Sequence, residues 1–530
     1  MEIERRCETA SAHCMNDGRS TRLFGGEDLK GPSSPNSASR VWRGLFPNQI
    51  RKGLLFVICQ GQSCTMGDAC VVVLHFLQLF AVSNMNQSII RLTRELSEIK
   101  KSNDLSIAVA CKDSDVRNVK AIILGPPDTP YEFGFFEFSL KFGRDYPAKA
   151  PAVNSLTTNS GRCRFNPNIY AAGKVCLSIL GTWRGDRGEE WSSAQGLESI
   201  LISIQSLMSS NPYENEPGFE NANQDHDKEN MKAYCLKIRH ETLRVSVISR
   251  LEEHLGINPD GTIQSVPSPM EQDAYDEDSS IVDPEAPAVF EPFKDLCKRR
   301  FLWYYDSYVA SIATEREKVT ENQVFARMPF EHSGNAMEGK FLYSELERRL
   351  RFIKERLEKE TKDWADEGLI LKGKESGVAA NLQRQFEQTV EHFKKETSVT
   401  LDVELVNGNP FLWRVTYFGR PMTNLDGGLF TFELAFSPRF PEEQPRAKFL
   451  THLYHHRITT DGIPCYSPRR YDDGRHHIDA IIHLMEEENP PYDPRTQVNQ
   501  EASKLYWGSK EDKKEYNKKL RRSVQRSMEC

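Results

Sequence analysis

One stretch of the sequence occurs twice, and this repeat restricts the fold of the chain more than any other feature. Residues 125–151 (GPPDTPYEFGFFEFSLKFGRDYPAKAP) align without a gap on residues 419–445 (GRPMTNLDGGLFTFELAFSPRFPEEQP). Both copies carry a turn with glycine and proline, a run of alternating apolar residues, and a proline after that run. Because the same turn, strand and corner recur in the same order, we predict two domains of one fold near the two ends of the chain.

The residues around each copy predict an α+β fold. Strand-like runs cover residues 106–110, 120–124 and 134–142, and the last of them alternates with period two. We therefore expect an antiparallel meander after one helix in each domain. Apolar residues recur at helical spacing ahead of both copies, at Ile89, Leu92, Leu96 and Ile99 and again at Leu382, Phe386, Val390 and Phe393.

The chain has 530 residues, which is more than a single hydrophobic core needs. Changes in composition along the chain indicate where one domain ends and the next begins. We assign the first domain to residues 85–235 and the second to residues 381–530. Residues 236–370 carry helical patterns and form a helical extension between the two domains. Within it, residues 255–293 contain no lysine or arginine but many prolines and acidic residues, which predicts a flexible acidic linker.

The N-terminal region, residues 1–84, mixes polar tracts with two apolar runs and shows no sustained period, so we expect it to be poorly structured. The longer run, Val71–Val82, contains His75 and Gln78 and is shorter than the roughly 20 apolar residues of a spanning helix. A buried helix is the preferred interpretation of this run, and a membrane anchor is the alternative. Met85 stands just ahead of the first clear helix, and we expect the functional chain to begin there.

Charge and cysteine usage narrow the class of partner and the compartment. A net charge of −7 provides no field that attracts nucleic acid, and no nucleic-acid-binding motif stands out. The twelve cysteines are far apart, with no CxxC pair, and the N-terminus carries no secretory signal. Free thiols in a reducing compartment are therefore expected, which favours the cytoplasm, the nucleus or both.

A series of motifs in the first domain resembles one known family. In order, these are GPPDTPYEFG (125–134), DYPAKAP (145–151), NPNIY (166–170), GKVCLSIL (173–180) and Trp191, followed by the helical run LESILISIQSLM. They resemble the core (UBC) domain of ubiquitin-conjugating enzymes, the thiol carriers between a ubiquitin-activating enzyme and a ligase. The resemblance implies an N-terminal helix, a four-stranded antiparallel meander and C-terminal helices in each of the two UBC-type domains.

Within that family, the sequence is most similar to the Z subgroup. Asn166 stands where most relatives have histidine, and the insert GTWRGDRGEEW follows at residues 181–191. The runs NPYENEPGFE (211–220), IRHETLRVSV (238–247) and RRFLWYYDSY (299–308) also resemble that subgroup. The likeness then covers roughly residues 88–350.

Cys176 is the candidate nucleophile. A thiol carrier needs a nucleophilic cysteine and a donor for the tetrahedral oxyanion, without a strong base that favours hydrolysis. Cys176 follows a Gly-Lys turn, and Asn168 precedes it by eight residues, a spacing at which the family resemblance implies the oxyanion donor. No histidine lies between His75 and His226, so a locally encoded Cys–His pair is absent. The alternative is that Cys176 is a small apolar core residue.

The resemblance implies partners as well. Ubiquitin or a ubiquitin-like modifier, its activating enzyme and a ligase are expected, and no cofactor is needed because the activating enzyme uses the ATP. The basic face of the first helix, Arg91, Arg94 and Lys100, resembles the family's contact with the activating enzyme, and a solvated helix face is the alternative. For the whole chain, the rival interpretation is a non-catalytic ubiquitin-binding adaptor with two conjugating-like folds.

The second copy has lost part of this pattern. Cys465 lies eight residues after Arg457, so the spacing is kept, but His455-His456-Arg457 replaces the NPN triplet. The oxyanion amide is therefore missing, and we predict a degenerate domain used for binding, with Cys465 as a candidate second thiol. The other alternative is a zinc site at His452, His455, His456, Cys465, His476 and His477. Zinc ligands usually have tighter and more regular spacing, so no metal is expected.

Overall fold

The computed structural model describes residues 87–102, 104–185, 188–258, 260–263, 290–332, 336–374, 376–396 and 398–529. The predicted N-terminal region, with its run Val71–Val82, and the central part of the acidic linker lie outside these residues. Within the described part of the chain, no helix combines the length and the apolar character that crossing a bilayer requires.

The first domain has the predicted helix-then-meander order. Helix α1 covers residues 87–101, and a four-stranded antiparallel sheet follows in the order β1-β2-β3-β4. The three strand-like runs of the sequence lie in or overlap the first three strands, and helix α2 (Leu197–Ser206) closes the domain. The strands are β1 (Ile107–Lys112), β2 (Asp115–Leu124), β3 (Phe135–Lys141) and β4 (Ala152–Ser155).

The extension begins with a long continuous helical segment. Helix α3 (Asp225–Glu241) passes through a π-helical segment, Thr242–Ser249, into α4 (Arg250–Leu255). The predicted boundary between residues 235 and 236 lies inside α3, so the chain enters the extension without a break. The π-helical segment approaches the repeated turn closely, because a Cβ on Gly134 would lie 2.5 Å from the Ser246 hydroxyl.

Two further helices complete the extension, α5 (Lys294–Arg316) and α6 (Tyr343–Gly373). The second domain follows with helix α7 (Gly377–Lys395) and a second four-stranded antiparallel sheet in sequential order. Helices α8 (Gly474–Glu486), α9 (Gln500–Trp507) and α10 (Lys510–Arg526) close it. Its strands are β5 (Thr400–Leu405), β6 (Leu412–Phe418), β7 (Leu429–Ala435) and β8 (Arg446–Phe449).

The two sheets share one register. Phe138 pairs with Ala121 and Ser155 in the first sheet, and the repeat partner Phe432 pairs with Val415 and Phe449 in the second. The α+β class with two domains of one fold is thus confirmed, since the repeated residues occupy equivalent places in equivalent sheets.

The extension covers the outer face of the first sheet. Strand β3 is buried on both faces: Phe136 and Phe138 belong to the domain core, whereas Phe135 packs against the extension. The cluster that contains Phe135 also includes α5, α6 and two residues of the second domain, Cys465 and Val498. The candidate thiol of the second domain therefore lies in an internal interface.

Candidate active site

Cys176 borders a small cavity in the loop region after β4. Its backbone N–H donates to the Asn168 carbonyl at 2.8 Å, which sets the two residues side by side. The residue is only 3% exposed. The cavity has a volume of about 160 Å³, and its lining includes Cys176, Asn168, Tyr170, Trp183, Asn215, Glu216 and Glu220.

A glycine explains why the chain can turn back toward Asn168. Gly173 has φ +91°, and its carbonyl accepts a hydrogen bond from the Ser155 N–H at 2.7 Å. A Cβ at this position would lie 2.8 Å from the Ser155 carbonyl oxygen. Because only glycine fits both the left-handed backbone and this close approach, the turn before Cys176 depends on it.

Asn168 meets Cys176 through its side chain as well. Its Nδ2 donates to the Cys176 carbonyl oxygen at 3.0 Å. A side-chain amide nitrogen carries two hydrogens, so one remains for a developing oxyanion. The sequence-predicted pair is thus brought together, and the Asn168 amide is held beside the candidate nucleophile.

Asn166 anchors the loop that carries Asn168. Its Oδ1 accepts from the Asn168 backbone N–H at 2.8 Å, and its Nδ2 donates to the Leu207 carbonyl at 2.8 Å and to the Tyr131 hydroxyl at 3.1 Å. The side chain is fully buried. A buried amide with these partners fixes a loop, because moving it would leave polar groups unpaired.

The sequence did not single out three residues at this site, Arg164, Tyr170 and Glu216. Arg164, 5% exposed, donates to the Pro167 carbonyl at 2.5 Å and pairs with Glu216 at 3.1 Å. Its guanidinium also lies 4.7 Å from the centre of the Tyr170 ring. Burial raises the pKa of Tyr170, and the neighbouring Cys176 thiol raises it further. The sequence gives no distinct signal for this group, because Arg164 stands in the polar run TTNSGRCRF (157–165), two positions after another arginine.

The basic residues of α1 lie away from this cavity. Arg91 pairs with Glu95 at 2.8 Å and donates to the Ser193 and Gln195 carbonyls, both at 2.6 Å. Arg94, 79% exposed, pairs with Glu98. Lys100 is exposed. The guanidinium of Arg91 thus joins α1 to the segment ahead of α2, whereas Arg94 and Lys100 present their charge to solvent.

The second domain repeats the backbone of the site without its side chains. The Cys465 N–H donates to the Arg457 carbonyl at 2.9 Å, as Cys176 does to Asn168. The Arg457 guanidinium, however, pairs with Glu487 at 2.8 Å. Cys465 is 1% exposed, and burial raises the pKa of its thiol to about 12, although Arg457 and Arg300 favour the thiolate.

Three buried histidines of the second domain have hydrogen-bond partners. His456 Nδ1 contacts Gln497 Oε1 at 2.7 Å, and His477 Nδ1 contacts the Tyr466 hydroxyl at 3.0 Å. His455 Nδ1 accepts from the Arg457 backbone N–H at 3.1 Å. In the part of the chain that the structure describes, no three histidine, cysteine or acidic side chains are grouped as metal ligands.

Comparison with known proteins gives one family for both domains. A family model described as ubiquitin-conjugating enzyme matches residues 91–242 and 381–524, more than half of the chain.

Individual relatives are similar over a shorter range. Ubiquitin-conjugating enzyme E2 Z of Xenopus tropicalis is 49% identical over 167 residues, which is 32% of this chain and 51% of the relative. The human protein of the same name is 40% identical over 222 residues, 42% of this chain and 52% of the relative. Probable ubiquitin-conjugating enzyme protein 17 of Caenorhabditis elegans is 43% identical over 169 residues, 31% of this chain and 23% of the relative. The chain thus spans about half the length of the two E2 Z relatives.

Proposed function

The chain belongs to the ubiquitin-conjugating enzyme family, and on this premise we propose that it carries ubiquitin or a ubiquitin-like modifier as a thioester on Cys176. The modifier comes from an activating enzyme and passes to a substrate lysine. The observation that carries the proposal is the placement of Cys176 at a cavity with the Asn168 amide 3.0 Å from its carbonyl oxygen.

Loading exchanges one thioester for another. The Cys176 thiolate attacks the modifier's carbonyl carbon, the bond from that carbon to the activating enzyme's sulfur breaks, and the activating enzyme leaves as a thiol after taking up a proton. The reaction needs no net redox change and no cofactor on this chain. ATP is used earlier, by the activating enzyme.

Transfer to lysine forms an amide bond. The neutral lysine amine attacks the thioester carbonyl, and a tetrahedral oxyanion forms, for which the second N–H of Asn168 is the proposed donor. The carbon–sulfur bond then breaks, Cys176 leaves as thiolate, and the amine loses a proton. The described residues that line the cavity include no histidine, so a Cys–His pair for hydrolysis is not assembled there.

The proposed partners follow from this reaction. The exposed side chains of Arg94 and Lys100 are proposed to contact the activating enzyme, with Arg91 ordering the neighbouring segment. A ubiquitin ligase is a further proposed partner, and the cytoplasm or nucleus is the proposed compartment. For the second domain, the pairing of Arg457 with Glu487 and the burial of Cys465 favour a non-catalytic role.

A charging reaction tests the proposal. The full chain is incubated with ubiquitin-activating enzyme, ATP and ubiquitin, and separately with ubiquitin-like modifiers and their own activating enzymes. We expect a reductant-sensitive mass gain of one modifier, lost in Cys176→Ala and made reductant-resistant in Cys176→Ser. Cys111→Ala, which changes a half-buried cysteine on β1, is the matched control and should charge normally.

The opposite result favours the adaptor alternative. A wild-type chain that binds modifier non-covalently but takes up none on any cysteine would contradict the carrier function. A thiol-labile modifier on Cys176→Ala would place the nucleophile elsewhere.

A further inference from the structure

The catalytic cavity has two walls that come from distant parts of the chain. One wall carries Asn168 and Tyr170, next to Cys176, and a second wall carries Asn215, Glu216 and Glu220 ahead of α3. A transfer step needs both walls in fixed positions, because the amine and the oxyanion approach the same carbonyl.

Arg164 contacts both walls. Its Nη2 donates to the Pro167 carbonyl at 2.5 Å, next to Asn168, and the same nitrogen lies 3.1 Å from Glu216 Oε2 of the second wall. The guanidinium lies 4.7 Å from the Tyr170 ring centre. A planar guanidinium can combine ring contact with directed hydrogen bonds, which a lysine ammonium cannot reproduce.

The second domain provides an internal comparison. With Cys465 aligned on Cys176, Leu453 occupies the position of Arg164, Arg457 that of Asn168, and Thr459 that of Tyr170. Leu453 is 3% exposed and belongs to the domain core. The fold therefore accepts an apolar residue here, and the arginine is present in the copy that keeps the asparagine.

We propose that Arg164 is a positioning residue for lysine transfer. It holds the loop that carries Asn168 and the wall that carries Glu216 in fixed positions around Cys176. This proposal rests on the carrier function proposed above. Arg164 does not line the cavity itself and acts through Pro167, Tyr170 and Glu216. Its loss should slow transfer more than loading, because the lysine amine must be placed at the carbonyl by the cavity, whereas in loading the nucleophile is the Cys176 thiolate itself.

The test begins with the uncharged full chain. Hydrogen exchange by mass spectrometry compares wild type, Arg164→Leu, Arg164→Lys and Glu216→Gln. We expect faster amide exchange in Arg164→Leu at residues 166–176 and 213–220, and a smaller effect in Arg164→Lys. The matched control is Arg239→Leu, which removes an arginine paired with Glu132 at 3.1 Å outside the cavity lining. Unchanged exchange of both segments in Arg164→Leu would overturn the proposal without any use of the modifier.

The second measurement is single-turnover discharge of ubiquitin-charged protein to free L-lysine over a range of lysine concentrations. In Arg164→Leu the maximal rate should fall on the order of tenfold to a hundredfold, as for a misplaced reacting group. The charging rate should stay within about twofold of the wild-type rate, because the substitution does not change how tightly the modifier and its activating enzyme bind. Arg164→Lys should recover part of the rate. A wild-type discharge rate, or equal losses in charging and discharge, would overturn the proposal.

Two outcomes separate this proposal from others. If wild type itself takes up no ubiquitin or other modifier, the carrier function fails, and the exchange comparison still decides whether Arg164 orders the two walls. If Arg164→Leu does not fold, Glu216→Gln decides, because it removes the ion pair and leaves the arginine packed. Wild-type exchange and discharge in Glu216→Gln would then overturn the proposal.

Discussion

Cys176 and Cys465 have the same backbone partner but different surroundings. Each donates its N–H to the residue eight positions earlier, at 2.8 Å and 2.9 Å. Cys176 borders a cavity, whereas Cys465 packs against α5 in an apolar cluster. Desolvation disfavours a thiolate. The two cysteines therefore differ because of the residues around each sulfur and not because of the backbone hydrogen bond, which they share.

The first residue-scale prediction concerns Asn168. We expect Asn168→Ala to charge nearly normally and to discharge to lysine about 10²-fold more slowly, the scale of a lost oxyanion donor. The measurement compares charging and discharge rates of the full chain. Equal losses in the two steps would show that the hydrogen bond to the Cys176 carbonyl has a purely structural role.

The second residue-scale prediction concerns the Cys465 thiol. With a pKa of about 12, its thiolate fraction at pH 8 is about one in ten thousand, and the residue is 1% exposed. We expect iodoacetamide to leave Cys465 unmodified in the native chain and to modify it in urea, as read by peptide mass spectrometry. Cys111 is the half-buried comparison. Native labelling of Cys465 at the rate of Cys111 would contradict the burial.

At the scale of elements, α5 contacts both domains. The Tyr304 ring stacks on Phe133 of the first domain, with centroids 4.0 Å apart and planes 1° apart, and its hydroxyl donates to the Arg495 carbonyl of the second domain at 2.9 Å. Burial disfavours the Asp295 carboxylate, but Arg446 and Arg299 outweigh it and hold the pKa of Asp295 at about 2. Helix α5 thus makes an aromatic contact with the first domain and a hydrogen bond and an ion pair with the second domain.

The element-scale prediction tests Tyr304. Tyr304→Ala should destabilise the chain by about 3 kcal/mol, the cost of deleting a buried aromatic ring, and should expose new protease sites between the extension and the second domain. Thermal unfolding and limited proteolysis measure these effects. Tyr305→Ala is the control, because that side chain is only half-buried. Equal effects of the two variants would contradict the role given to Tyr304.

At the scale of the whole molecule, the second domain contains buried histidines that favour the neutral form. Burial lowers the pKa of His456 to about 4 and that of His477 to about 4, and it also lowers the pKa of His455. Between about pH 6.5 and pH 4 the unfolded chain binds more protons at these positions than the folded chain. The stability they contribute is therefore present above pH 6.5 and lost as pH falls toward 4.

The resulting prediction is acid sensitivity of the full chain. At pH 5, His456 and His477 should each cost about 2 kcal/mol relative to pH 7.5. Calorimetric melting at the two pH values measures the loss. His456→Gln and His477→Gln should each reduce the difference between the melting temperatures at the two pH values, whereas His226→Gln, at a side chain 65% exposed, should not. An unchanged difference in both buried variants would contradict this assignment.

Local signals in the sequence were sufficient to predict the two α+β domains, because turn glycines and period-two alternation act between neighbours in the chain and can be read without a structure. The pairing of Asn168 with Cys176 was implied by the resemblance of the motifs around them to the conjugating-enzyme family. The second copy has Arg457 at the position of this asparagine, and that difference can also be read from the sequence alone.

The tertiary structure decided what depends on contacts between distant residues. Arg164 and Glu216 are 52 positions apart, and the contact between Tyr304 and Arg495 spans 191. The guanidinium of Arg91, predicted only as part of a basic face, is held by carbonyls more than 100 positions away. Cys465 keeps the local spacing of a nucleophile, but its thiol is desolvated by a helix that no spacing around it specifies. Periodicity reports which side of an element is buried, and only the folded chain determines what that side is buried against.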